Sequence, residues 1–148
     1  MGTGMGLTAM IGKLNRDGTV KGIYFQYADI QYTGMILEEF FQEDNDVDRL
    51  LKNGSLVNIR KCPEDSVADR EIPLVRKDGV EVVITGLAPG GVHTYPNLGC
   101  FLTQSTYDVV RTFLHRNGAW WVTSNDLNLL IPLSKMKELL DMYEGHWF

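Results

Sequence analysis

Cysteine is scarce in this chain: Cys62 and Cys100 are the only two. Two isolated thiols build no disulfide framework, and neither they nor His93 fall in C-x-x-C or H-x-x-x-H spacing. A stapled secreted scaffold and a zinc site are both argued against, and a reduced, intracellular setting is expected. Long apolar runs are missing too, whereas a membrane-spanning helix needs about 20 such residues. The opening MGTGMGLTAMIGK has no basic segment ahead of an apolar core, so no secretory leader is expected. Positive charge is in deficit, with 14 Lys and Arg against 19 Asp and Glu, a net charge of −5 and a pI near 5.1. Proteins that grip nucleic acid draw affinity from Lys and Arg on phosphates, so that function class is disfavoured.

Familiar chemical signatures fail in instructive ways. Asp44, Asp46 and Asp48 begin like a calcium loop, but Arg49 stands where glycine is required and Ser55 where glutamate is required. GTGMG precedes a strand-like run, the wrong order for a dinucleotide site, and APGG lacks the Lys-Ser/Thr of a phosphate loop. His93 is followed by Thr-Tyr and His115 by Arg-Asn, so no H-x-T pair exists, and no local nucleophile signature occurs. No metal, cofactor or catalytic set is assigned, and binding is favoured over catalysis.

What is present describes a globular chain. Its 148 residues, 44% hydrophobic and 22% charged, fit one domain, residues 1–148, large enough to bury a core without staples. LTAMIGKLNRDGTVKGIYFQY reads as a β-hairpin turning at Asp17-Gly18. Ile23, Phe25 and Tyr27 share one face of its second strand, and Tyr24 and Gln26 the other. Residues 32–43 change period: Ile36, Leu37, Phe40 and Phe41 make the apolar stripe of a helix. A short helix follows, capped by Asp44 or Asn45, with Val47, Leu50 and Leu51 inward and Gly54 as its stop.

SLVNIRK and VEVVITGL read as strands, separated by a polar excursion over 61–79, and APGGVHTYPNLG as a long loop of the kind used for binding. Asn117-Gly118 marks a late hairpin, and PLSKMKELLDMY closes as a helix. The expected class is α+β. An antiparallel sheet is built from the N-terminal and late hairpins, with two helices after the first hairpin and one at the C-terminus.

Aromatic and polar side chains supply the candidate binding residues. Tyr24, Gln26, Tyr27 and Asp29 lie where a strand passes into a helix, and a ligand anion could approach that helix N-terminus. His93 and Tyr95 lie in the Gly/Pro loop, and Arg111, His115 and Trp121 on the late hairpin. Aromatic faces stack on bases and arginine clamps phosphates, so the set suits a small nucleotide-like ligand. Strand aromatics also commonly fill cores. Glu38, Glu39, Glu43, Asp44, Asp46 and Asp48 form an acidic run that reads as a solvated helical face or as a mimic of DNA.

The order of these pieces resembles a group of small proteins from phages, prophages and conjugative elements. That group opens on a DG hairpin, continues SIYCHWDGYPE-x-VGK-x-L-x-x-HY and VDELLALGDLS, and ends near YLFEDGKWYV. Here the counterparts are IYFQYADIQYTGMILEEFF, VDRLLKNGSLVNI and RTFLHRNGAWWV. Phe25, Gln26, Tyr27, Ala28 and Asp29 stand where the group has Cys-His-Trp-Asp-Gly, so its histidine is absent. The resemblance implies a phage or mobile-element counter-defence protein in the cytoplasm of a bacterial host, and with the aromatic and basic residues above the expected role is to bind and sequester a small nucleotide-derived signal. The alternatives are a protein–protein inhibitor of a host defence nuclease, in the manner of an anti-CRISPR, and an enzyme that degrades the signal with His93 or His115 as acid or base. The aromatic hairpins and the terminal YEGHWF suggest a homo-oligomer.

Overall fold

The hairpin turns where the DG dipeptide places it. β1 (Leu7–Leu14) and β2 (Val20–Ala28) pair antiparallel outward from Leu14 opposite Val20. Gly18 takes φ +89°, a conformation cheap only for glycine. The Asp17 carboxylate accepts from the Thr19 N–H at 3.0 Å and the Thr19 hydroxyl at 2.6 Å. These bonds favour its charged form and pull its pKa below the usual carboxylate value. A computed structural model describes residues 7–28, 30–108, 111–123 and 130–142.

α1 (Ile30–Phe40) and α2 (Asp44–Leu51) follow. Their stripes, Ile36, Leu37, Phe40 and Phe41 and then Val47, Leu50 and Leu51, are all buried, as the periodicity requires. The N-cap of α2 is Glu43 rather than Asp44 or Asn45. Gly54, at φ +77°, ends the turn by donating its N–H to the Leu51 carbonyl at 3.0 Å. Then come β3 (Leu56–Pro63), β4 (Ile72–Lys77), β5 (Val80–Leu87), β6 (His93–Tyr95) and α3 (Leu98–Asp108). β7 (Arg111–Arg116), β8 (Ala119–Thr123), β9 (Leu130–Pro132) and α4 (Leu133–Met142) complete the described chain.

The expected antiparallel sheet of two hairpins is not what forms. Among the described residues the strands join one nine-stranded mixed sheet in the order β4-β5-β3-β2-β1-β7-β8-β9, with β6 added on β2. β1 and β7 run parallel, and so do β2 and β3. The physical reason is the helices: α1 and α2 carry the chain back along the sheet, so β3 re-enters in the direction of β2. α3 occupies the stretch where the late hairpin was expected to begin, and β4, β6 and β9 were not anticipated. The β4–β5 turn is Asp78-Gly79, at φ +54° and +79°, the same primed geometry as Asn117-Gly118 at +53° and +77°.

The sheet is covered on both faces. α1, α2 and α4 bury Ile11, Ile23, Phe25, Leu56, Ile84, Phe113 and Val122 on one side. α3 covers Met10, Val20 and Leu114 on the other through Phe101. Gly12 and Gly22 face each other across β1 and β2, and a Cβ on them would lie 2.5 Å and 2.7 Å from the Phe101 ring. The two missing side chains form the slot that accepts it.

The polar excursion folds back on β3. Arg60 Nε donates to Glu71 Oε2 at 2.6 Å, Arg60 Nη2 to the Ser66 carbonyl at 3.3 Å, and the Ala68 N–H to Glu71 Oε1 at 2.9 Å. The Arg60 hydrogen bonds first, then the Ala68 N–H, hold the Glu71 pKa at about 2.

Two outcomes are expected. Gly12→Val should lower the unfolding free energy in urea by about 1–3 kcal/mol through overpacking, and Phe101→Leu in the same chain should recover part of it. Simple additivity of the two losses would show that ring and glycine do not meet. A carboxylate with a depressed folded pKa stabilises above its unfolded pKa of about 4.3 and loses that contribution as pH falls through the folded one. Glu71→Gln should therefore be less stable than the parent at neutral pH, with the gap closing as pH falls from about 4.5 towards 2. A gap that ignores pH would remove the charge from the explanation.

Candidate functional site

The candidate residues whose side chains are described divide between the two faces of the sheet. Tyr24, Tyr95 and Trp121 are half-buried around the α3-side cluster, and Tyr95 meets Phe101 edge-on at 5.2 Å. Gln26 lies two residues beyond Tyr24 on the same face of β2 and is half-buried. His93 is exposed on β6. The Arg116 guanidinium lies 4.1 Å over the Trp121 ring, whose buried Nε1 has no hydrogen-bond partner. Arg111 and His115 share a face of β7 with Phe113, on the side of the sheet away from the α3-side cluster. Burial lowers the Arg111 pKa, and its Nη1 donates to the Thr123 carbonyl at 3.4 Å. Asp29 and the side chain of Tyr27 lie outside the described residues, and with them the expected corner at the start of α1.

His115 and Trp120 perform structural work. His115 is 1% exposed. Its Nε2 stands 2.9 Å from the Gln42 carbonyl, which can only accept, so Nε2 carries a proton. Trp120 Nε1 donates to the Phe41 carbonyl at 2.9 Å, and the two rings meet edge-on at 5.1 Å. The late hairpin thus satisfies carbonyls that the end of α1 leaves without helical partners.

A different set of side chains forms a cleft. Register from the DG turn puts Lys13 opposite Lys21, and Lys21 opposite Thr94 on β6, one row across three strands. α2 lies over the same face and presents Asp48, Arg49 and Lys52 beside that row. With Asn15, Asn45, Leu51 and Val92 they enclose about 710 Å³, a volume suited to a small ligand. Four cationic side chains and one carboxylate therefore line a cleft in a protein of net charge −5. Lys13 Nζ binds Asp48 Oδ1 at 2.8 Å, with its side chain 11% exposed. Arg49 Nη1 donates to the Leu74 carbonyl at 3.2 Å, tying α2 to β4. The ammonium groups of Lys21 and Lys52 make no hydrogen bond or ion pair to a described residue, while Lys21 contributes to the lowered pKa of Asp17.

The acidic run is less uniform than its sequence. Asp48 is paired with Lys13, Asp46 stands 3.8 Å from Arg49, Glu39 3.8 Å from Lys61, and Asp44 3.7 Å from His115 Nδ1. Opposite charge interrupts it, unlike a continuous phosphate mimic.

Sequence reasoning missed the cleft because it followed rings rather than register. The signal was there: Lys13 sits on the core-facing side of β1 with Ala9 and Ile11, and the DG turn fixes Lys21 as its partner. No protein-family model, curated protein or solved structure matches the chain. Among the described residues no group of three His, Cys, Asp or Glu could hold a metal ion, and no helix is long and apolar enough to cross a membrane.

Trp120→Phe should lower stability by about 1–3 kcal/mol, because the Phe41 carbonyl stays buried without its donor. His115→Ala should destabilise in the same way. Equilibrium unfolding in urea reads both effects, and a variant as stable as the parent would show that its bond contributes nothing.

Proposed function

We propose that the protein is a non-catalytic binder of a small phosphate-bearing molecule, held in the cleft between α2 and the β1–β2–β6 row. In the cell this binding sequesters a nucleotide-derived signal, the counter-defence role that the resemblance to mobile-element proteins implies. The observation that carries the reading is the Lys13–Lys21 pair. Like charges directly opposite on neighbouring strands are destabilising. Here they stand together beside two more cations, with one carboxylate among the lining side chains. A bound phosphate, with a charge of about −1.5 to −2, relieves that repulsion. Lys21 and Lys52 have donors to spare for it.

Binding without turnover is supported by the lining. Thr94 is its only hydroxyl, it contains no histidine or cysteine, and Asp48 is engaged by Lys13. A nucleophile with an adjacent general base, the minimum for most group transfers, is not assembled there.

Calorimetry against inorganic pyrophosphate and a panel of nucleotides, linear and cyclic, tests this. Binding that weakens as salt rises is expected, and Lys21→Glu and Lys52→Glu should each weaken it by about tenfold or more. Native mass spectrometry should recover the ligand intact after denaturation. A panel with no binder, or affinity indifferent to both reversals, would sink the proposal. Turnover of the ligand would replace sequestration with catalysis.

A further inference from the structure

The cationic cleft opens beside a second one of opposite character. About 620 Å³ is enclosed between the two hairpin turns and the link from α1 to α2. The turns contribute Asn15, Arg16, Gly18, Asn117 and Gly118, the link contributes Gln42 and Glu43, and the first turn of α2 contributes Asp44 and Asn45. Asn15 and Asn45 line both clefts, so the two adjoin. Two carboxylates and a set of side-chain amides face one arginine in this second space.

We propose that the ligand spans both clefts: a nucleoside phosphate with its phosphates among Lys13, Lys21 and Lys52 and its sugar hydroxyls on Glu43, Asp44 and Asn45. This rests on the anion-binding reading above and adds the ligand's polarity and class. Charge fixes the direction. Glu43 and Asp44 repel a phosphate and offer only acceptors, so the group that enters there must bring donors. A ribose diol or an exocyclic amine does. The acceptors are available, since the Glu43 carboxylate makes no capping bond to α2 and the Asn45 amide bonds to no described residue. Asn15 uses its amide nitrogen on the Thr19 hydroxyl at 3.2 Å, which leaves its amide oxygen to accept.

The second cleft is also rigidly framed. Gly18 and Gly118 hold left-handed turn geometry, and Asn117 with them. His115 and Trp120 hold the Gln42 and Phe41 carbonyls, the residues that lead directly into Glu43 and Asp44. His115 is therefore a positioning residue for this cleft rather than a contact.

The test compares nucleoside 5′-diphosphates (ADP, GDP, CDP and UDP) with inorganic pyrophosphate by calorimetry on the full chain. The tightest diphosphate should bind at least about tenfold better than pyrophosphate, and its 2′,3′-dideoxy analogue should lose that advantage. Asp44→Asn and Glu43→Gln, both at exposed positions that line only the second cleft, should weaken the nucleotide by about tenfold and leave pyrophosphate unchanged. Pyrophosphate binding as tightly as every nucleotide would overturn the spanning ligand while leaving the cationic cleft intact. So would variants that alter both ligands equally. Failure of pyrophosphate and nucleotides alike would overturn the anion-binding reading itself, and this inference with it.

Discussion

The outer edge of β2 carries two strands, and the clefts depend on how it does so. Val20 to Gly22 pair with β6, while Phe25 pairs with β3. Between them the Tyr24 N–H would face a gap in the ladder, and a buried backbone donor cannot stay unpaired. Ser55, 1% exposed, fills the gap by accepting that N–H on its Oγ at 3.1 Å. Its own backbone ties the next loop down: Ser55 N–H donates to the Gly90 carbonyl at 3.1 Å, and Ala88 N–H to the Ser55 carbonyl at 2.9 Å. A Cβ at Gly54 would lie 2.9 Å from the Gly90 oxygen, so glycine is needed there for space as well as for its positive φ. One serine and its neighbouring glycine thus set where α2 ends and where β6 begins, and the cationic cleft is the space between them.

Electrostatics then makes that space selective. Lys13 stands on the helix-covered face of β1 at 9% exposure, where an unpaired ammonium would be costly. Asp48 from α2 compensates it and at the same time pins the helix across the hairpin. Asp48 keeps half of its side chain exposed in that pair, and Lys21 and Lys52 beside it make no ion pair to a described residue. The carboxylates of the α1–α2 link sit at the far side of Asn15 and Asn45. The opposite charge of the two adjoining clefts results from two local needs: closing a hairpin and starting a helix with acids in its first turn.

Much of the fold was legible where a local rule acts alone. The DG and NG turns and the stripes of α1 and α2 behave as written in the sequence. What escaped depends on distant partners. Asp78-Gly79 carries the same turn signal as Asn117-Gly118, but the charges and Pro73 around it obscured the alternation of β4, an edge strand that tolerates proline. α3 has a weak apolar stripe because one ring, Phe101, does most of its docking, and the matching glycines lie about 80–90 residues earlier. Parallel pairing follows from helices acting as crossovers, which composition alone does not reveal. The candidate site was misdirected for a related reason. Rings attract attention as ligand contacts, yet Tyr24, Tyr95, Trp120 and Trp121 are held in packing on two opposite faces.

That allocation of the rings constrains how any ligand is recognised. Neither cleft has a ring among its lining residues on which a base could stack. Stacking is worth about 1–3 kcal/mol per base and is tolerant of base identity. Its absence shifts the burden to ammonium groups, carboxylates and amides, whose contributions depend on where charge and donors sit along the ligand. On the proposed reading, discrimination rests on charge pattern and hydroxyl placement rather than on the base. It also makes the stiffness of the α1–α2 link matter, because a hydrogen bond misplaced by an ångström is lost where a stacked ring would slide. The His115 and Trp120 bonds to the end of α1 supply that stiffness. On the proposed reading, the late hairpin, far from the clefts in sequence, thus supports recognition without touching the ligand.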